Sequence, residues 1–256
     1  MQLNIGSHKA TVLEKGVYYF ALQNYPKISS LELKNIIDFL KYEKLYERKT
    51  EIVCENNDIL DEINHALMNP KTVNAVSLPD NYVYHASSLK ATQKILKSGK
   101  LLSSVKVYRK TGWQLAHEKC DSPWNDPPDY FEYIMFGWGN DAVGDYVVIS
   151  DIAVGEQAEE EFKKGLYTGV RFYFKYEDII KHPGAAFDGY HAIKVKDEME
   201  LDEYLYACII PEQYKEELMP FIPQCLKNRT FFVVQNGLGM QAWSEKVHSF
   251  IVNLPY

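Results

Sequence analysis

Cysteine is scarce in this chain and unpaired in sequence: Cys54, Cys120, Cys208 and Cys225 are scattered, with no C-x-x-C spacing. Spacing therefore signals neither a disulfide framework nor a zinc site, and the expectation is reduced structural thiols in a cytoplasmic protein. No apolar run approaches the ~18 residues that a membrane helix requires. The opening Met1-Gln2-Leu3-Asn4 also lacks the basic-then-apolar order of a signal peptide. Phosphate-cradling glycine loops are missing, with no G-x-G-x-x-G and no Walker pattern, which speaks against a Rossmann oxidoreductase or an NTPase. The absence of a G-x-S-x-G elbow disfavours a Ser-His-Asp hydrolase. Positive charge is in deficit as well, with 28 basic against 35 acidic residues and a net charge of −7. That balance argues against strong non-specific binding to nucleic acid, which depends on neutralising phosphates.

What is present describes an ordinary globular protein. A chain of 256 residues can bury a sizeable core, as one large domain or one and a half. Hydrophobic residues at 46% and charged residues at 25% exclude the disordered and fibrous classes. The 19 tyrosines suit a core with wet edges or a stacking surface. One stretch runs against the overall charge. Lys90, Lys94, Lys97, Lys100, Lys106, Arg109 and Lys110 follow one another without an acidic residue among them.

Residues 1–75 read as a small, mainly helical extension. Ser29 and Glu32 form an S-x-x-E capping box ahead of Leu33, Ile36, Ile37 and Leu40 at helical spacing. A short strand at Glu51–Cys54 follows, then a helix capped by Asp58 and ended by Asn69-Pro70. Either a winged-helix-like recognition unit or a packing extension fits that pattern. Residues 71–81 read as a linker into a domain spanning 76–256. Its expected elements begin with a strand at Tyr82-Val83-Tyr84 running into His85. A helix from Ser87 or Ser88 to Gly99 follows, then one from Asp126-Pro127 through Met135. Strands are expected at 145–149, 169–174, 191–195, 203–210 and 230–234, before a last helix at 241–252. Regular βαβ spacing is absent, so the expectation is an α+β fold with a mixed or antiparallel sheet.

Two islands suggest chemistry. The first is Val83-Tyr84-His85-Ala86-Ser87-Ser88 followed by Ile95-Leu96-Lys97-Ser98-Gly99-Lys100-Leu101-Leu102. A neutral imidazole at a strand end can both donate and accept hydrogen bonds. The second is Asp202-Glu203-Tyr204-Leu205-Tyr206-Ala207-Cys208-Ile209-Ile210-Pro211. A fixed carboxylate there can stabilise positive charge that develops on a reacting group.

Together these islands resemble the diphtheria-toxin-like ADP-ribosyltransferases, with their split sheet core. Among that superfamily the DarT DNA ADP-ribosyltransferase toxins look closest, helped by Val170-Arg171-Phe172-Tyr173-Phe174 as a match to their V-x-F-Y-F strand. The resemblance covers three islands in about half the chain; residues 109–168 do not align with the family, and residues 1–75 have no counterpart in it. It implies an NAD-dependent mono-ADP-ribosyltransferase, an enzyme of the glycosyltransferase class, with NAD as substrate and no metal. By family role Glu203 drives transfer, and His85, Ala86, Ser87, Tyr173 and Tyr204 hold NAD. Arg109 matches the substrate-side arginine only by its place after the first helix. The implied acceptor is macromolecular, either DNA or RNA or else protein.

Plainer readings stand beside each of these. His85 also fits a hydrogen-bonded core histidine, and Glu203 a solvated edge carboxylate. Tyr173 fits a core aromatic, although alternation puts it on the face of Arg171, opposite Phe172 and Phe174, which suits a cleft. The lysine run also reads as a solvated face. The segment 120–130 reads as a loop in which Trp124, with Trp138, can stack on a ring. Its prolines and missing glycine break the calcium-loop pattern of Asp121, Asp126 and Asp129, and His117 with Cys120 is half of a zinc site at most. Two other functions compete: a non-catalytic nucleotide- or protein-binding module on the same fold, and an RNA 2′-phosphotransferase.

Overall fold

The computed structural model describes residues 1–14, 16–69, 76–118 and 126–255. In chain order the first part holds Gln2–Gly6 (β1), Val12–Glu14 (β2), Val17–Ala21 (β3), Ser30–Leu45 (α1), Glu51–Cys54 (β4) and Asn57–Met68 (α2). Next come Tyr82–Ser87 (β5), Leu89–Ser98 (α3), Lys100–Leu102 (β6), Ser104–Tyr108 (α4), Gly112–Glu118 (α5), Tyr133–Trp138 (β7), Val143–Ser150 (α6) and Gly155–Lys163 (α7). Val170–Lys175 (β8), Tyr176–Ile179 (α8), Ala185–Ala186 (β9), Ile193–Lys196 (β10), Glu198–Glu200 (β11), Leu201–Tyr204 (α9) and Leu205–Pro211 (β12) follow. Lys215–Leu218 (α10), Thr230–Val233 (β13) and Met240–Val252 (α11) complete the chain. The fold is mixed α+β, and no helix among the described residues is long and apolar enough to cross a membrane.

Packing gathers the chain into two compact units that interleave along the sequence. The first comprises Met1–Pro79, Ser104–Tyr133 and Ala186–Lys194; the second comprises Asp80–Ser103, Ile134–Ala185 and Val195–Tyr256. The first unit is built on a four-stranded sheet of order β2-β3-β1-β4. There β1 runs parallel to both β3 and β4, and β2 closes antiparallel on β3. Within residues 1–75, β1, β2 and β3 are additional to the expected helix, strand and helix. Their signal is the alternation of buried Leu3 and Ile5, and of Tyr18 and Phe20, over strands too short to stand out. The capping box at Ser29 and Glu32 starts α1 as expected, while the cap of α2 is Asn56 rather than Asp58.

The interior of this unit is unusually polar. Lys194 is fully buried, with its Nζ 3.6, 3.8 and 4.7 Å from the ring centroids of Tyr42, Tyr130 and Tyr133. It lies 3.1 Å from Asp188 Oδ2, which also faces His191 Nδ1 at 2.9 Å. Burial opposes ionisation of Asp188, but the charges of His191 and Lys194 outweigh it and hold the carboxyl far below its ordinary value. Arg48 forks onto Glu43 and Asp129, and Asp129 also accepts the Tyr42 hydroxyl at 2.6 Å. Asp129 is thus committed to an internal network, whereas Cys120, Asp121 and Trp124 lie outside the described residues.

A seven-stranded mixed sheet of order β13-β12-β8-β5-β7-β10-β9 has β5, β8, β12 and β13 within the second unit. Its β13 lies parallel to β12, while β12–β8, β8–β5 and β5–β7 are antiparallel. Every residue of β12 is buried, so both faces of the sheet are covered there. One face carries Tyr84, Tyr173, Ala207 and Ile209 against Trp243, Val247 and Ile251 of α11 and Phe162 of α7. By register Val83, Phe172 and Phe174 face the other way.

Three expected elements differ in kind. The strand expected at 145–149 is helix α6. Its burial has helical spacing: Asp145 and Ile149 are buried, while Val143 and Val147 are 64% and 61% exposed. Valine content favours a strand there, but the tertiary demand on Asp145 overrides that preference. The helix expected from Asp126-Pro127 is a short 3₁₀ turn, Pro128–Glu132, after which aromatic and β-branched residues form β7. Glu203 does not open a strand but sits in the single helical turn α9 immediately before β12.

Candidate functional site

The His85 strand is framed as its sequence indicates. Ser88 caps α3 by accepting from Ala91 N–H, and Gly99 ends that helix at φ +72°, a left-handed conformation that a residue with a Cβ adopts only with strain. The Gly99 carbonyl then accepts from Leu201 N–H at 2.8 Å. The end of the first island thereby anchors the turn that carries Glu203.

Register places β12, β8 and β5 side by side, with Cys208, Phe172 and His85 at one level and Leu205, Phe174 and Val83 at another. Glu203 precedes Leu205 by two residues and His85 follows Val83 by two. The pair are thus displaced along the strands by about four residues rather than level with each other.

His85 is partly exposed, and its Nδ1 lies 3.0 Å from the Met135 carbonyl. Only a protonated nitrogen can satisfy a carbonyl, so Nδ1 carries the hydrogen and Nε2 keeps its lone pair in the neutral ring. Burial pushes the pKa of His85 below its ordinary value, and the Met135 contact opposes that only in part. Such a depressed group contributes stability fully above its unfolded pKa of ~6.5, and the contribution is lost as pH falls through the lower folded value. In an NMR titration His85 is expected to remain neutral at pH 6.5; half-protonation there would contradict the assignment of its environment.

The register between β5 and β7 stops short of His85. Gly139 N–H donates to the Tyr82 carbonyl at 2.8 Å, so Tyr82 points its backbone groups toward β7. Alternation turns the N–H and C=O of Tyr84 and Ala86 toward the same edge. The β5–β7 register runs through Val83–Trp138 and Tyr84–Gly137 and ends there. Met135, which would face Ala86, instead gives its carbonyl to the His85 ring. Ala86, itself partly exposed, turns its N–H and C=O toward this edge just beyond the last registered pair. Ser87 is buried.

Tyr173 occupies a different environment from the expected cleft. It lies opposite Tyr84 in register, hence on the sheet face away from His85, and is 0% exposed. Its ring stacks on Tyr84 with centroids 5.6 Å apart, and its hydroxyl donates to the Gly139 carbonyl at 3.1 Å. Arg171, equally buried, donates to Tyr173 Oη at 2.9 Å, Ser244 Oγ at 3.0 Å and Asp145 Oδ2 at 2.8 Å, and forms an ion pair with Asp145. Alternation assigned the faces correctly, but both are interior, because Arg171 is neutralised by Asp145 rather than by solvent. No ring face of Tyr173 is free for nicotinamide. Gly144 lies so close to this cluster that a Cβ there would meet the Tyr84 ring at 2.9 Å.

Glu203 is exposed, and the turn around it is tied down. Arg229 brackets it, donating to the Asp202 carbonyl at 3.0 Å and the Leu205 carbonyl at 2.8 Å. The pKa of Tyr204 is raised, by burial first and then by the neighbouring Glu203 carboxylate. Sequence reasoning overlooked His182, whose ring meets Tyr204 edge to face at 5.2 Å. No motif marks it. Arg109 is exposed with φ +54° and belongs to the first compact unit, unlike the other candidate residues. Of the lysine run, Lys90, Lys94 and Lys97 are exposed along α3, Lys100 is ion-paired with Glu198 and Glu200, and Lys110 with Glu118.

Comparison of the chain with protein-family models, with curated proteins and with solved structures finds no match.

Proposed function

We propose that this protein is an NAD-dependent mono-ADP-ribosyltransferase whose nicotinamide end binds at the His85–Ala86 edge and whose transferring carboxylate is Glu203. The observation that carries this reading is the backbone of Ala86. Its adjacent N–H and C=O match the C=O and NH₂ of a carboxamide, and they neighbour an imidazole whose Nε2 can accept from a ribose hydroxyl. Glu203, exposed on a turn clamped by Arg229, supplies a fixed negative charge for the oxocarbenium-like ribose. Nicotinamide leaves as a neutral base, so one carboxylate suffices and no second acid is required. Tyr173 has a structural part in this reading, supporting β5 from beneath through Tyr84. Neither nucleic acid nor protein is singled out as the acceptor.

Binding is tested directly by adding nicotinamide or NAD to isotope-labelled protein. The amide of Ala86 and the ring of His85 are expected to shift together in a saturable way. Shifts confined to the exposed lysines of α3 would point to phosphate contact alone and sink the carboxamide assignment.

The burial of Tyr173 favours a second reading, a non-catalytic nucleotide-binding module. It binds the same ligand at Ala86 but leaves NAD intact, and it is indifferent to replacement of Glu203.

A further inference from the structure

We propose that the outer face of α6 and the link into α7 form a docking surface for a basic amphipathic helix of a partner protein. The inference is independent of the transferase reading, and all of its residues lie in the second compact unit. Val143 and Val154 are each 64% exposed, Val147 61% and Ile152 49%. Isolated apolar residues are ordinary on a protein surface, but four aliphatic side chains gathered within residues 143–154 form a patch of the kind that binds. Helix formation does not account for them, because valine is a weaker helix former than alanine, lysine or glutamate.

The patch is seated on a fixed base. Val143, Val147 and Asp151 succeed one another at four-residue spacing, opposite the buried Asp145 and Ile149. Asp145 is the ion-pair partner of Arg171, and Ile149 packs in one core cluster with Ala153, Ala158 and Phe162. Beyond the helix, Ile152 N–H and Ala153 N–H both donate to the Ile149 carbonyl, at 2.8 and 3.0 Å, and hold the turn that carries Ile152.

Charge selects the occupant. No lysine, arginine or histidine occurs between Trp138 and Phe162. Of the carboxylates in that stretch, Glu160 and Glu161 pair with Lys163 and Lys164, and Glu159 accepts from Met240 N–H. Asp151 and Glu156 remain exposed without an ion pair among the described residues. Asp151 continues the line of the two valines, and Glu156 lies two residues beyond Val154. An acidic rim of this kind attracts a basic partner, and it repels both a second copy docked through the same face and an anionic lipid surface. Because α6 has no strand edge to share, an extended partner would bury unpaired backbone groups, whereas a helix satisfies its own. Apolar residues four apart on a partner helix repeat at ~6 Å, the spacing of Val143 and Val147, and a basic residue one turn further on meets Asp151.

The test uses a fluorescein-labelled amphipathic helix of leucine and lysine, about 18 residues long so that it is helical alone, titrated with the full chain. Saturable binding is expected, and a twin peptide with glutamate for every lysine is expected not to bind. Val143→Ser combined with Val147→Ser leaves Tm unchanged and weakens binding at least ~10-fold, because only exposed aliphatic surface is lost. Asp151→Lys combined with Glu156→Lys reverses the preference, so that the glutamate twin becomes the tighter ligand. No binding of the lysine peptide, or equal binding by wild type and the serine variant, overturns the surface. An unreversed preference in the lysine variant overturns the assignment of a basic partner. Self-association of wild type that the serine variant loses would make a second copy the occupant and would likewise overturn the proposal.

Discussion

Replacing Arg171 with methionine is expected to destabilise the protein by about 3–5 kcal/mol, the usual cost of removing one partner from a buried ion pair. Arg171 and Asp145 are both fully buried, and the guanidinium also serves Tyr173, Ser244 and the Asp141 carbonyl while lying 4.3 Å over the Tyr84 ring. Methionine fills similar volume, so the penalty comes from the uncompensated Asp145 carboxylate and from the polar groups left without a donor, not from a cavity. At this chain length the loss corresponds to a fall in Tm of roughly 10 °C or more. The double variant Arg171→Met with Asp145→Asn is expected to recover part of it, because the stranded charge is gone. A single variant within about 2 °C of wild type would show that Arg171 is solvated in solution and would reopen Tyr173 to ligand.

That network also explains why the sequence misleads around Tyr173. Arg171 and Tyr173 alternate with Phe172 and Phe174, and an arginine facing away from two phenylalanines ordinarily marks the wet side of a strand. Its neutralising partner, Asp145, lies 26 residues earlier in a segment whose valines and isoleucine read as a strand. Only the folded chain shows that α6 delivers a carboxylate into the interior. Local signals were easier to read. The capping box of α1, the Ser88 cap, the left-handed Gly99 and the apolar run of β12 all depend on residues a few positions apart, and the structure places them as their chemistry requires. The α+β class followed from the same local patterns. In contrast, β1 and β3 pair in parallel with an intervening strand, a non-local arrangement whose short alternating segments carry little signal of their own.

The candidate site was legible to the same degree. The sequence ended the first strand at His85, whereas β5 continues through Ala86 to Ser87 beside β8. The contact of the Met135 carbonyl with His85 was not legible, because the segment supplying Met135 reads as helix. Arg109 was linked to the site by sequence order after the first helix, and order does not determine which compact unit a residue joins.

The largest functional effect is expected from Glu203→Gln, and nicotinamide release from NAD by wild type beside this variant tests the central claim most directly. Glutamine keeps the size of the side chain and remains on the turn held by Arg229, so the fold is expected to persist with an unchanged Tm. What it removes is the charge opposite the developing oxocarbenium ion, and preorganised groups of that kind are worth on the order of 100-fold or more. Release by wild type, reduced by at least that factor in a folded Glu203→Gln variant and accelerated by one of DNA, RNA or cell protein, is the result this account expects. Equal release by both proteins, or none by either while both are folded, would contradict it.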